Sequence, residues 1–465
     1  MKTSYTAASV DYLAERQLRR HAGVIHLWAL GVGAVISGDF FGWNFGLASG
    51  GFGGMLYALI IVTVMYLGLC FSIAEMAAAL PHTGGAYSFA RTAMGPWGGY
   101  ITGLAENMEY ILTPAVIVVG IGGYLGAIFG TPKAYEPLWW LACYILFVAL
   151  NVYGVELSFR FSVVITLAAL AALIIYWLSV FPQFNLSRWA SPSFPQGYAG
   201  IWNCLPFALW FYLAIEQLPL AAEESQNPVR DIPRGLIWGL ATLIFCAFLT
   251  LTLGAGSPPG AMAVGKSNEP LFLGFQAAYG NSASTKVMAA IACVGLIASF
   301  HTILFAYGRQ IYSLSRAGYF PTWLSKTHSI RQTPHRALIA GAIMGFTAAL
   351  AIQFSPHDSP VGAILLNMAV FGAVLAYVAQ MASYLLLRFR FPGLHRPYLS
   401  PLGKIGATMS AIIATITLFT LFLNPDYAKG VYGALAWFLI GIIWFAFHAR
   451  HRLILSPEEE FAQKQ

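Results

Sequence analysis

Residues 23–48 read GVIHLWALGVGAVISGDFFGWNFGLA. A bilayer core is crossed by about 20 predominantly apolar residues in a helix, and this run is long enough. It is punctuated by Gly31-Val32-Gly33 and by Ser37-Gly38-Asp39. Glycines weaken a helix and free its backbone, so the reading is a membrane helix that unwinds partway. Unwound backbone at membrane depth is tolerated only where it is buried in protein or lines a cavity. Asp39, an acid well inside the run, marks that stretch as a candidate site.

Outward from this stretch, further apolar segments lie at roughly 53–76, 97–128, 137–154, 161–181, 199–224, 235–255, 286–310, 337–354, 361–387, 404–423 and 431–449, twelve spans with the first. They are expected to be helices, because a span must satisfy its own backbone hydrogen bonds. The short alternating segments of a barrel are not seen. The sixth segment is interrupted by Pro206 and Pro219, with Trp210-Phe211-Tyr212-Leu213-Ala214 between them. The first and sixth helices are corresponding members of two five-helix halves. A matched pair of interrupted helices points to a transporter site at mid-membrane.

Composition excludes a soluble enzyme. The chain has 465 residues, 58% hydrophobic and only 9% charged, against about 25% charged in soluble domains. The formal charge of +7 is topological and does not indicate nucleic-acid binding. Twenty of the 25 basic residues fall in the N-terminal segment, the even-numbered loops and the C-terminal segment, and five fall on the other side. The positive-inside rule then places both termini in the cytoplasm. Residues 1–22 carry Arg16, Arg19 and Arg20 but no apolar core or cleavage site of a signal peptide, so the first apolar segment is expected to be retained. Membrane lipid is an expected partner, with terminal arginines near anionic headgroups. Cys70, Cys143, Cys204, Cys246 and Cys293 lie singly, which fits buried inert thiols rather than a metal or disulfide framework.

Three motifs carry a family resemblance. His82-Thr83-Gly84-Gly85-Ala86-Tyr87, running on to Arg91 and Gly95-Pro96, resembles the first cytoplasmic loop of amino acid–polyamine–organocation (APC) transporters. The stretch from Ala222-Glu223-Glu224-Ser225 to Asp231-Ile232-Pro233-Arg234 is similar to that family's signature after helix six. Arg309-Gln310-Ile311-Tyr312-Ser313-Leu314-Ser315-Arg316-Ala317-Gly318 resembles its loop after helix eight. Within the family, Ser37-Gly38-Asp39-Phe40-Phe41-Gly42-Trp43-Asn44 is most similar to ethanolamine permeases. The resemblance implies an all-α polytopic fold: a five-plus-five inverted repeat at 23–181 and 199–387, extra helices at 404–449, and a tail at 450–465. It implies a substrate held between the unwound parts of helices one and six. Ser37, Gly38, Asp39 and Phe40 would line it from the first, and Trp210, Tyr212 and Glu216 from the second, with Trp210 as a covering aromatic.

One departure bears on the substrate. Amino acid carriers of this family usually have Gly-Ser-Gly where this chain has Ser37-Gly38-Asp39, and there the exposed N–H groups hold the substrate carboxylate. The Asp39 carboxylate would repel a second carboxylate and attract an ammonium. That implies a small amine without the acid, such as ethanolamine.

Asp39, Glu106, Glu109 and Glu216 lie deep in apolar segments, and no Lys or Arg is read at comparable depth. A charge at a helix centre costs roughly 2.5–3.5 kcal/mol on insertion scales, so cation or proton handling is expected of these acids, and Glu106, Glu109 and Glu216 are candidate substrate contacts beside Asp39. Glu106 and Glu109 are three apart and share a helix face; two close carboxylates can hold one proton between them. A coupling proton or sodium ion is therefore an expected partner. Its candidates are His301, which titrates near physiological pH, and the hydroxyls of Ser299 and Thr302, which lie where sodium-coupled relatives supply them. Ala169 falls near where some proton-coupled relatives carry a lysine. The Gly31/Gly33 pair follows no strand and is no dinucleotide motif; with no Walker motif either, no cofactor is expected. The readings left open are an ethanolamine carrier, an amino acid permease of the same fold, and a non-transporting membrane sensor.

Overall fold

The computed structural model describes residues 3–267, 269–280, 285–354, 361–423 and 425–464. Lys2, counted above among the basic residues, lies outside them, as does the side chain of Lys286. Eleven helical stretches among the described residues are long and apolar enough to cross a membrane, and the shorter apolar Val24–Phe40 supplies the first span. The first span is Val24–Val35 followed by Ser37–Phe40, the second ends at Ala79 within Phe45–Ala79, and the third lies in Gly85–Phe129. Spans four and five are Glu136–Tyr153 and Val155–Val180. The sixth is built from Gly200–Ala208, Leu209–Phe211 and Ile215–Glu224. Spans seven to twelve are Pro228–Ala255, Thr285–Arg316, His335–Gln353, Val361–Arg390, Gly403–Leu423 and Pro425–Phe447. Large apolar side chains face outward, among them Leu178 and Ile440, 68% and 69% exposed. A polar solvent would not tolerate so continuous an apolar surface, so the chain is a multi-pass membrane protein.

The packing of the first ten spans is mirrored between two halves. The second span packs on the sixth as the seventh packs on the first; the tenth packs on the third as the fifth packs on the eighth. The third–fourth and eighth–ninth contacts correspond in the same way. Exchanging spans one to five with six to ten maps each of these contacts onto another, as two repeated five-helix units require.

One expectation about the first span is corrected. Gly31 and Gly33 do not unwind it; both lie within the regular helix Val24–Val35. They are packing glycines. A Cβ at Gly31 would lie 2.4 Å from Leu218 Cδ1, and one at Gly33 would lie 2.5 Å from Thr166 Oγ1. The helix departs from regularity after Val35 and ends at Phe41, followed by Gly42 with φ of 98°.

On the face carrying both termini, β1 (Tyr5–Ala7) pairs in parallel with β2 (Leu453–Leu455). The segment 450–465, read from sequence as a tail, is docked there. Its helix Pro457–Lys464 buries Glu458 and Glu459. Glu459 accepts from Arg91 Nε (2.5 Å), Tyr87 (2.6 Å) and Tyr319 (3.0 Å). Arg316 bridges Glu223 at 2.6 Å and Glu458 at 2.9 Å, and Thr83 and Glu223 exchange two hydrogen bonds. Arg309 and Glu224 form a fully buried pair at 2.7 Å. The three motifs that carry the family resemblance thus meet in one ionic layer that closes this face. Arg309, assigned from sequence to a loop end, is 0% exposed. The expectation of no buried base within a span is corrected on this point.

Breaking a buried pair by removing one partner costs about 3–5 kcal/mol, because the other charge is left uncompensated. Arg309→Met is therefore expected to lower thermal stability in detergent sharply. Arg309→Met combined with Glu224→Gln is expected to recover much of the loss. A chain ending at Ser456 is expected to show faster amide hydrogen exchange at 83–92 and 313–319, with the opposite face unchanged.

Candidate functional site

Ser37-Gly38-Asp39, expected from sequence to unwind, forms a short helical turn, Ser37–Phe40, offset from Val24–Val35 and ending in the extended Phe41; this turn and the irregular stretch of span six cross in direct contact. A Cβ at Gly38 would lie 1.7 Å from the Trp210 carbonyl oxygen, so only glycine lets the two backbones touch there. The Trp210 indole covers Gly42, whose added Cβ would lie 2.9 Å from the ring. In the sixth span the helix ends at Ala208, tightens over Leu209–Phe211, and turns through Ala214 at φ 79°. Left-handed backbone is rare for a residue with a Cβ, and here it re-aims the chain so that Ile215–Glu224 carries Glu216 inward. Trp43 locks the crossing: its Nε1 donates to the Asp39 carbonyl (3.1 Å) and its ring stacks on Phe211 at 5.5 Å. Asn44 ties the end of the turn to the loop after span seven, donating to the Val264 and Ser267 carbonyls at 2.9 and 2.8 Å.

Asp39 is 0% exposed, and neither carboxylate oxygen has a hydrogen-bond partner meeting normal geometry. Thr250 and Cys246 of the seventh span and Tyr212 of the sixth lie within its electrostatic reach. No ion pair to Asp39 occurs among the described residues. The carboxylate therefore sits on the seventh-span side of the crossing, and the third-span acids are not beside it.

Those acids form a second cluster. Glu109 is 0% exposed and neither of its oxygens has a hydrogen-bond partner among the described residues; Glu216 lies within its electrostatic reach. Glu216 accepts from Tyr377 (3.1 Å) and more weakly from Tyr110 (3.4 Å). Tyr66 donates to the Tyr377 hydroxyl at 3.0 Å. The expected pairing of Glu106 with Glu109 is corrected: Glu106 turns to Gln310, whose Nε2 donates to it at 2.9 Å. Tyr212 stands between the two acid groups. Its hydroxyl meets Thr63 at 2.7 Å and its ring lies 5.1 Å from that of Tyr66.

The coupling-ion candidates divide. Ser299 receives the Ser37 amide (3.0 Å) and donates to the Gly33 carbonyl (2.8 Å), and Thr302 donates to the Ala298 carbonyl (2.8 Å). The Ser299 hydroxyl fastens the eighth span to the first, while that of Thr302 is spent within its own helix. From the fifth span Thr166 reaches the first, donating to the Ala29 carbonyl at 3.0 Å. His301 is not brought to the site. It lies among Asn151, Ser158, Phe147 and Phe161 of spans four and five.

Phe40 borders a cavity of about 400 Å³ on the far-face side of the acids, lined also by Phe41, Phe45, Ile117, Gly120 and Tyr124. The ionic layer closes the opposite side. Sequence reasoning missed Tyr66, Tyr110, Tyr377, Gln310 and Thr250 as neighbours of the acids. Gln310 stood in a quoted motif and Tyr110 is adjacent to Glu109, but nothing in the sequence marked the others.

The amino acid permease family profile matches residues 23–447. The chain is 28% identical over 460 residues to an uncharacterized transporter of Rhizobium meliloti, with 95% of each chain covered. It is 26% identical to the branched-chain amino acid permease BcaP of Bacillus subtilis, covering 94% of this chain and 95% of that one. It is 23% identical to the D-serine/D-alanine/glycine transporter of Escherichia coli K12, covering 93% and 94%.

Proposed function

We propose that this chain, which belongs to the amino acid permease family, imports ethanolamine or a closely related small primary amine across the cytoplasmic membrane by alternating access, linked to movement of a cation. The observation that carries this reading is Asp39. It is a buried carboxylate without a basic partner among the described residues, at the crossing of the two interrupted helices. A ligand that brings an ammonium and no carboxylate satisfies it, whereas a second carboxylate there meets repulsion. Ser37, Gly38, Phe40, Trp210 and Tyr212 enclose the amine, with aromatic faces favourable to a cation.

The carrier unit is 23–449, with halves at 23–181 and 199–387; the mirrored packing of the spans supports that division. The 20-to-5 basic bias supports an inner-membrane protein with both termini in the cytoplasm. Asp39, Glu106, Glu109 and Glu216 are buried and form no ion pair with a base among the described residues, which supports cation linkage.

Amino acid uptake is the second reading, favoured by the relatives named as amino acid permeases. Competition separates the two. Uptake of labelled ethanolamine by cells expressing the chain is expected to resist excess alanine and to fall with excess unlabelled ethanolamine. Labelled alanine uptake insensitive to ethanolamine would reverse the assignment.

A further inference from the structure

We propose that one anionic phospholipid, from the leaflet beside both termini, binds between spans three, nine and twelve, with an acyl chain in an apolar groove and its phosphate at Arg452 and His448. The inference holds whichever substrate is carried. The groove has a volume of about 480 Å³, and Leu104, Ile111, Met344, Trp437, Ile440 and Trp444 are among its lining. Met344, Ile440 and Trp444 are exposed, so its rim opens on the outer surface, where lipid lies. Its hydrogen-bond donors are already committed. The Tyr100 hydroxyl donates to the Gly441 carbonyl (2.9 Å), Asn107 Nδ2 to that of Gly103 (2.8 Å), Trp437 Nε1 to that of Leu104 (3.1 Å) and Trp444 Nε1 to that of Tyr319 (3.0 Å). Hydrocarbon suits such a lining, whereas a polar ligand would give up its water there without replacement. From Trp437 to Trp444 span twelve rises about 10 Å, against a bilayer core of about 30 Å, so the groove lies within one leaflet.

The groove continues into a basic notch. A second cavity, of about 250 Å³, shares Phe320, Pro321 and Trp444 with it and adds Trp323, His448 and Arg452. Arg452 is exposed and forms no ion pair with an acid among the described residues; its Nη1 donates to His448 Nε2 at 3.3 Å. That contact leaves the imidazole N–H on Nδ1 as a further donor. The acids of the neighbouring tail are taken elsewhere: Glu458 by Arg316, Glu459 by Arg91 and Glu460 by Lys464. Arg336, at the start of span nine, donates to the Trp323 carbonyl at 3.3 Å and adds positive charge beside the notch. Trp323 and Trp444 are exposed here, and such indoles mark the headgroup level of a bilayer. Guanidinium groups bind phosphate through charge and paired N–H donors, and basic pockets between spans suit anionic headgroups. A cation at headgroup level above an apolar groove one leaflet deep is the outline of an anionic phospholipid. The notch also abuts the docked tail, since a Cβ at Gly318 would lie 2.5 Å from the Arg452 carbonyl oxygen.

The test is native mass spectrometry on purified full-length protein, delipidated in neutral detergent and titrated with phosphatidylglycerol or with phosphatidylcholine of the same acyl chains. Wild type is expected to retain one phosphatidylglycerol about tenfold more tightly than phosphatidylcholine. Arg452→Gln, at an exposed position, is expected to erase that preference. Ala340→Phe, which fills the groove from span nine, is expected to weaken retention of both lipids. Lys404→Gln removes another exposed cation and is expected to leave the preference intact. Thermal unfolding before lipid is added verifies the fold of each variant. Glycerol 3-phosphate, the anion without chains, is expected not to displace the lipid, which separates a phospholipid from a free phosphate. Equal retention of the two lipids by wild type, an unchanged preference in Arg452→Gln, undiminished retention in Ala340→Phe, or an equal loss in Lys404→Gln overturns the proposal, as does displacement by glycerol 3-phosphate.

Discussion

Asp39→Asn is expected to weaken ethanolamine binding at least about tenfold, for which about 1.4 kcal/mol suffices. The substitution keeps size and removes charge, and Asp39 has no competing base among the described residues. A hydrogen-bonded charge pair shielded from water commonly loses about 2–5 kcal/mol when one partner is truncated. Asp39→Gly goes further toward the glycine loop of amino acid carriers. It is expected to lose ethanolamine affinity and to gain weak binding of alanine, because the repelling carboxylate is gone. Calorimetry on each variant, after its fold is verified by thermal unfolding, reads both ligands. Unchanged ethanolamine affinity in Asp39→Asn would move the ammonium site to Glu216 or the third-span acids.

Gly38→Ala is expected to reduce uptake to background. The new methyl would stand 1.7 Å from the Trp210 carbonyl oxygen and 2.5 Å from its carbon. Overpacking against yielding side chains costs about 1–3 kcal/mol, but here both partners are backbone at the crossing and must part. Gly23→Ala is the control, since a Cβ there meets nothing within 4 Å, and uptake should persist. Normal uptake by Gly38→Ala at equal membrane abundance would contradict the contact.

The spans were legible because lipid leaves the backbone one solution, and the broken first and sixth helices were legible through their interruptions. The cause assigned to the first break was not. Gly31 and Gly33 are small to admit Leu218 and Thr166, which a sequence read in one dimension cannot distinguish from flexibility. The deep acids were legible as a set, but their partners were not. Spacing of three places Glu106 and Glu109 on one face, yet Glu106 accepts from Gln310 of the eighth span while neither oxygen of Glu109 has a hydrogen-bond partner among the described residues. The docked tail escaped because its acidic helix is polar in isolation. Its carboxylates are buried only because Arg91 and Arg316, far away in sequence, await them.

The central claim is that the carrier moves a small amine. The most direct measurement is electrical: purified protein in sodium-free liposomes on a supported membrane, challenged in turn with ethanolamine and alanine at equal concentration. A transient positive inward current with ethanolamine, absent with alanine and absent in Asp39→Asn, is the predicted result. A current with alanine and none with ethanolamine would contradict it.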